Sequence, residues 1–305
     1  MNILPRWFFA PALLLAPTLA HAISLTNFLY EGFNYTTTDN PADNTSDGDI
    51  GGNTGGTGWG IVPSEWSNSA TTNTSTVLNI VNPGLSYPGL LTSGNALNLN
   101  AANPVGGTAN SIQNFFRAFN QGGSIDSGVF YFSVLLRKEI ASERTINLAF
   151  FEGTTEKFAV GQFSPAANDS NGTFGATQLN APPLITSASP IAFGIGATYL
   201  LVGKVEFNTG GADPTFDRFT LYVNPTTSAE PATPYFQVAT ANLGGLDRVR
   251  PFVGNTSGAD TASSGTYDDI RLGPTYQSVT PVPEPGSVSL LGFCATVLLA
   301  RRRRA

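Results

Sequence analysis

Apolar and polar side chains alternate with period two through much of the chain, which is the spacing of extended strands. In "SGVFYFSVLLRKE" (Ser127–Glu139) Val129, Tyr131, Ser133 and Leu135 fall on one side, and Phe130, Phe132, Val134 and Leu136 on the other. Both sides are apolar, so this segment is expected to be a central strand covered on two faces. "TINLAFFEG" (Thr145–Gly153) follows after a short charged turn, and the two are expected to pair as a hairpin. A second hairpin is expected from "TYLLVGKVEFN" (Thr198–Asn208) and "DRFTLYVNP" (Asp217–Pro225), whose connection carries the Gly, Asp and Pro of a loop. Its second strand sets Phe219, Leu221 and Val223 against Thr220 and Tyr222. Weaker strand signals cover Phe28–Tyr35, Val77–Val81, Ala96–Asn100, Lys157–Phe163, Arg248–Gly254 and Thr266–Gly273. The runs follow no fixed period, and no biased linker divides them. One all-β domain, a sandwich or barrel with almost no helix, is the economical reading.

Composition adds two constraints. The chain is 41% hydrophobic and 11% aromatic, enough for a sizeable core, yet only 12% charged, against about 25% in an average domain. Solubility then rests on Asn, Thr, Ser and Gly. The formal charge of −6 hides an asymmetry, because Arg6 and Arg301–Arg304 supply five of the fifteen basic residues. Without them 10 basic side chains face 21 acidic ones, about −11. A body that acidic is a poor partner for phosphate backbones, so nucleic-acid binding is not expected. The single Cys294 cannot form an intramolecular disulfide.

The N-terminal stretch "MNILPRWFFAPALLLAPTLAHA" has the build of a secretory signal peptide: one positive residue, Arg6, an apolar run, and the small-x-small triplet Ala20-His21-Ala22. The mature chain is expected to begin near Ile23, beyond a membrane. His21 is the only histidine, so its removal excludes Ser-His-Asp triads, Cys-His pairs and histidine zinc sites from the body.

Four stretches occur in order: "LYEGFNYTTT", "GGTGWGIVPSEW", "LLVGKVEFN…DRFTLYVNP" and "TYDDIRLGPTYQSVTP". Together they resemble exported bacterial proteins of the concanavalin A-like, laminin G-type jelly roll. The resemblance implies a two-sheet antiparallel β-sandwich over residues 23–277, with its first and last strands close together.

Carboxylates remain as candidate chemistry. Glycoside hydrolysis needs two carboxyls about 5–5.5 Å or 6.5–9.5 Å apart, and laminarinase-type jelly rolls place them at alternating positions of one strand. No such pattern occurs here. The nearest approach is Glu152 and Glu156 in "FFEGTTEKF", which reads as a hairpin end. Asp43, Thr45 and Asp47 followed by Gly48 open like a calcium loop, but its twelfth position is Thr54 instead of a bidentate Glu. Asp39, Asp43, Asp47 and Asp49 are therefore weak Ca²⁺ candidates in a loop that reads first as a solvated one; no other cofactor is expected. Trp59 and Trp66, seven residues apart in "GWGIVPSEW", are the candidate ligand contacts, with core packing as the competing reading.

The chain closes on "VPEPGSVSLLGFCATVLLARRRRA". Pro283 and Pro285 hold the backbone extended. Ser287–Ala300 is apolar but shorter than the ~20 residues of a stable span. Arg301, Arg302, Arg303 and Arg304 form a cytoplasmic anchor by the positive-inside rule. Residues 278–305 resemble the PEP-CTERM sorting signal in every part: Pro283-Glu284-Pro285, a short transmembrane helix over 287–300, and a basic end. The resemblance implies an exosortase-type processing enzyme as partner, transient residence in the inner membrane of a Gram-negative bacterium, and final placement at the cell surface or in a polysaccharide matrix. The expected protein is a non-catalytic matrix component; the alternatives are a lectin-like module and, last, a divergent glycosidase.

Overall fold

The computed structural model describes residues 25, 28–35, 55–59, 66–68, 78–92, 94–101, 112–119, 123–141, 145–163, 172–178, 181–186, 190–209, 216–227, 229–241, 243–254 and 263–281. The signal-peptide residues Ala20 and Ala22, the acidic loop with Asp39, Asp43, Asp47 and Asp49, and the tail from Val282 onward lie outside the described residues.

Two antiparallel sheets pack face to face. The larger runs in the order β13 (Phe236–Ala241), β12 (Asp217–Val223), β11 (Thr198–Glu206), β6 (Val129–Lys138), β15 (Ser263–Gly273), β4 (Ala96–Ala101) and β3 (Leu78–Val81). A short first strand, β1 (Leu29–Glu31), pairs with the later part of β15, so the two ends of the body meet in one sheet. The smaller sheet runs β10 (Ala181–Thr186), β9 (Gly175–Gln178), β8 (Thr155–Gln162), β7 (Thr145–Glu152), β14 (Arg248–Gly254), β5 (Ile112–Ala118) and β2 (Ser67–Asn68). This is an all-β sandwich, as the alternation predicted.

The core between the sheets is aromatic. Phe132 and Phe219 of the larger sheet meet Phe150 and Phe158 of the smaller, with the Phe132–Phe150 and Phe150–Phe158 ring centroids each 4.6 Å apart. Fully burying one such side chain contributes about 1.5–3 kcal/mol, so the quartet supplies about 6–12 kcal/mol of the burial that closes the sandwich.

β6 divides its side chains as its sequence predicts. Phe130, Phe132, Val134 and Leu136 enter the inter-sheet core. Tyr131 and Leu135 join a second apolar cluster on the outer face, under Leu85 and Leu90 and a four-residue helix, α1 (Tyr276–Val279). That helix is closed at its start by a capping box between Thr275 and Ser278. Ser133 Oγ donates to the Val279 carbonyl at 2.7 Å, tying the helix to the sheet. The packed chain continues through the buried Thr280 to Pro281.

One expected pairing does not form. β6 and β7 are not a hairpin, because they lie in opposite sheets. β6 sends Phe130, Phe132, Val134 and Leu136 inward and β7 sends Ile146, Leu148 and Phe150, and these rows bury one another by facing across the core instead of adjoining in one sheet. β7 turns at Gly153, where φ is +57°, into β8, its actual hairpin partner. The second expected hairpin, β11 with β12, is present from Leu201↔Val223 to Glu206↔Arg218.

Candidate functional site

β15 carries the sequence Tyr267-Asp268-Asp269-Ile270-Arg271-Leu272. Strict alternation would point Asp268, Ile270 and Leu272 to the same face. Instead the pairing with β6 shifts between Asp268 and Arg271, and Asp269 takes a positive φ of +49°, a conformation that Asp tolerates better than most residues. This bulge returns Tyr267, Ile270 and Leu272 to the core and gathers two carboxyls and one guanidinium on the outer side.

All three polar side chains are buried. Asp268 accepts from the backbone N–H groups of Leu85 and Asp269, each at 2.7 Å. Burial, then the neighbouring Asp269, pushes its carboxyl up to about 9. Asp269 accepts through Oδ1 from the Tyr30 hydroxyl at 2.7 Å and from Arg271 Nη2 at 3.2 Å. Its carboxyl is also raised by burial, with Arg271 and Tyr30 opposing the rise. Arg271 Nη2 donates in addition to the Leu91 carbonyl, and the guanidinium carbon lies 5.1 Å from the Tyr30 ring centroid. Arg271 Nη1 and Asp269 Oδ2 have no hydrogen-bond partner among the described residues. Such orphans are uncommon in a buried site and point to a missing partner.

Arg271 forms part of the wall of a cavity of about 390 Å³. Phe28 and Tyr30, two positions apart on one side of the first strand, line it with nearly parallel rings, 11° between planes and 6.2 Å between centroids. Leu91 and Pro281 supply an aliphatic edge, and the Leu91 N–H donates to the Pro281 carbonyl at 2.8 Å. Gln277 and Ser278, from α1, complete the lining, with Gln277 giving it polar atoms. A mostly apolar hollow of this size with a few convergent polar groups has the form of a small-ligand site. The sequence signal for it was the pair of acids inside a strand run in "TYDDIRLG", a local conflict of pattern that marks bulges and sites.

The tryptophans singled out from the sequence are not an exposed platform. Trp59 and Trp66 are 4% and 0% exposed and enclose an ion pair between Arg117 and Glu31 that bridges the two sheets. The Trp66 indole donates to Glu31 at 3.1 Å, the Tyr35 hydroxyl to Glu31 at 2.7 Å, and the Trp59 indole to the Tyr30 carbonyl at 2.8 Å. Burial, then the Glu31 charge, raises the Tyr35 hydroxyl. A buried pair is tolerated only when its remaining polar atoms are met in this way; the Trp66 indole and the Tyr35 hydroxyl do so for Glu31, while the Trp59 ring lies against the guanidinium.

Glu152 and Glu156 do not share a site. Glu152 pairs with Lys157 at 2.7 Å, while Glu156 is buried and pairs with Arg250 at 2.5 Å. Burial raises the Glu156 carboxyl despite that cation, and the Arg250 guanidinium lies over Phe151 and Phe252 at 4.6 and 4.8 Å. On the outer face of the larger sheet Glu230 accepts from Tyr131 and Tyr222, each at 2.7 Å. Burial pushes Glu230 up, and the two hydroxyls together with Lys204 outweigh it, leaving the carboxyl below its ordinary range. Among the described residues no group of three or more His, Cys, Asp or Glu side chains is placed to hold a metal ion.

No family model and no curated protein matches this chain. Solved structures resemble it at low identity. An endo-β-1,4-glucuronan lyase from the fungus Trichoderma reesei is 12% identical, with a TM-score of 0.46, covering 67% of this chain and 89% of its own. A cellulose-induced protein is 11% identical, with a TM-score of 0.42, covering 69% and 91%. An alginate lyase in complex with alginate trisaccharide is 11% identical, with a TM-score of 0.38, covering 58% and 81%. These are likenesses in the course of the chain.

Proposed function

We propose that this chain is an exported, non-catalytic surface or matrix protein that is sorted by an exosortase-type enzyme and associates with extracellular polysaccharide. The carrying observation is the tripartite tail "VPEPGSVSLLGFCATVLLARRRRA", which begins directly after Pro281, the last described residue of the packed body. Two further observations support a non-catalytic body. Its mature portion has no histidine, and the two glutamates nearest to a hydrolytic pair are each held by a separate cation.

Replacing Pro283-Glu284-Pro285 with three alanines tests the reading. Export continues, because the N-terminal signal is untouched. The apolar run and Arg301–Arg304 still stop transfer, so uncut protein accumulates in the membrane fraction, read by intact mass. Normal processing of that variant in the native host overturns the assignment.

A further inference from the structure

We propose that the cavity between β1, β15 and α1 is a binding site for a neutral sugar residue. Four features of the hollow carry the proposal. The near-parallel rings of Phe28 and Tyr30 present faces of negative quadrupole, against which the C–H faces of a pyranose ring pack. The volume of about 390 Å³ lies within the range of small-ligand sites, roughly 300–1,000 Å³. Arg271, 3% exposed, stands in the wall of the hollow, and its Nη1, buried just behind that wall, is unpartnered among the described residues. Gln277 adds polar atoms to the lining, while those of Ser278 are engaged with Thr275 in the capping box. A guanidinium nitrogen donates only, so its partner is an oxygen, and a ligand oxygen reaches Nη1 once the side chains that cover it shift on binding.

Charge selects the kind of oxygen. Asp269 sits 3.2 Å from Arg271 Nη2 and already balances the guanidinium. The body around it carries about −11. A polyanionic chain gains little at Arg271 and is repelled by the rest, whereas a hydroxyl matches a donor whose charge is spoken for. Asp269 and Tyr30 act as positioning residues: the carboxylate holds both the tyrosine hydroxyl and the guanidinium.

The choice of a sugar rests on the proposed association with polysaccharide; the cavity and its orphan donor do not. The test is calorimetric titration of the full chain with short neutral gluco-, manno- and galacto-oligosaccharides and, separately, with short oligouronates. At least one neutral series binds, and the uronates bind more weakly. Leu91→Trp fills the hollow from its 53% exposed edge and abolishes binding without touching the core. Arg271→Met weakens binding about tenfold or more, the loss of one charge-assisted hydrogen bond. If that variant does not fold, Leu91→Trp decides. Absence of binding to every neutral series overturns the proposal, as does tighter binding of uronates or binding indifferent to Leu91→Trp. Such failures leave the sorting reading intact, because tail processing is measured independently of any ligand.

Discussion

Asp268 accepts hydrogen bonds from two backbone N–H groups, which favour a charged carboxylate, yet burial and the adjacent Asp269 prevail and lift it to about 9. Its unfolded value is near 3.9. The folded state therefore keeps a proton that the unfolded chain releases above about pH 4. The stability linked to this group is full below that point and is lost as pH climbs through about 9. Thermal melts across this window should show the midpoint falling with rising pH. Asp268→Asn removes the titration and flattens that slope. It also leaves one of the two N–H groups without an acceptor, at about 1–3 kcal/mol. Parallel curves for the two proteins would contradict the assignment. Little of this was legible in the sequence, where "DD" inside a strand run says that something is unusual but not which residue bulges. Trp59 and Trp66 were conspicuous for their size, but their partner Glu31 lies 35 residues before Trp66 and Arg117 comes from the other sheet. A linear reading has no means of joining them.

β6 is the strand on which sequence and structure agree most closely, and β11 beside it shows why the fit is tight. Gly203 lies opposite Phe132 in register, and the Phe132 ring lies across it. A Cβ at Gly203 would come within 2.1 Å of that ring. Gly203→Ala should therefore displace the ring at the centre of the aromatic quartet, lowering stability by about 1–3 kcal/mol through overpacking. Chemical denaturation reads this as a lower midpoint at unchanged m-value; an unchanged midpoint would mean that the ring has room to move. The strands expected most firmly are those with dense apolar rows, β6, β7, β11 and β12, and the weaker signals fall on β1, β3, β4, β8, β14 and β15. Those missed have physical reasons to be faint. β5 carries buried Asn114 and Arg117, which read as solvent-facing. β10 and β13 lie at sheet edges, β9 is a four-residue strand beside β10, and β10 contains Pro182 and Pro183, residues a ladder tolerates chiefly at an edge. Strand identity is local information, but sheet membership is not, which is why β6 and β7 were expected to pair and do not.

Pro281 has two neighbours of different kinds: it walls the cavity, and Val282 alone separates it from Pro283 of the proposed sorting signal. From Pro281 to Ser287, where the apolar run begins, is six residue steps, roughly 20 Å of extended chain, close to the radius of gyration of about 18 Å for a body of this length. Under the proposed function the anchored precursor is thus held within about one body radius of the lipid headgroups, with its cavity on the tethered side. A fourteen-residue helix spans about 21 Å, less than the ~30 Å hydrocarbon core, which draws the body closer still. The anchor then acts as a stopper, and cutting it uncovers the site. In proteoliposomes the uncut chain should bind the neutral oligosaccharides more weakly than the released chain. A Gly/Ser spacer of about ten residues inserted after Pro281, with a mean reach of roughly 17 Å, should restore binding without any cut. Equal binding by anchored and released protein would show that the cavity faces away from the bilayer. If it faces the bilayer, a protein of this design takes hold of its matrix only after leaving the cell that made it.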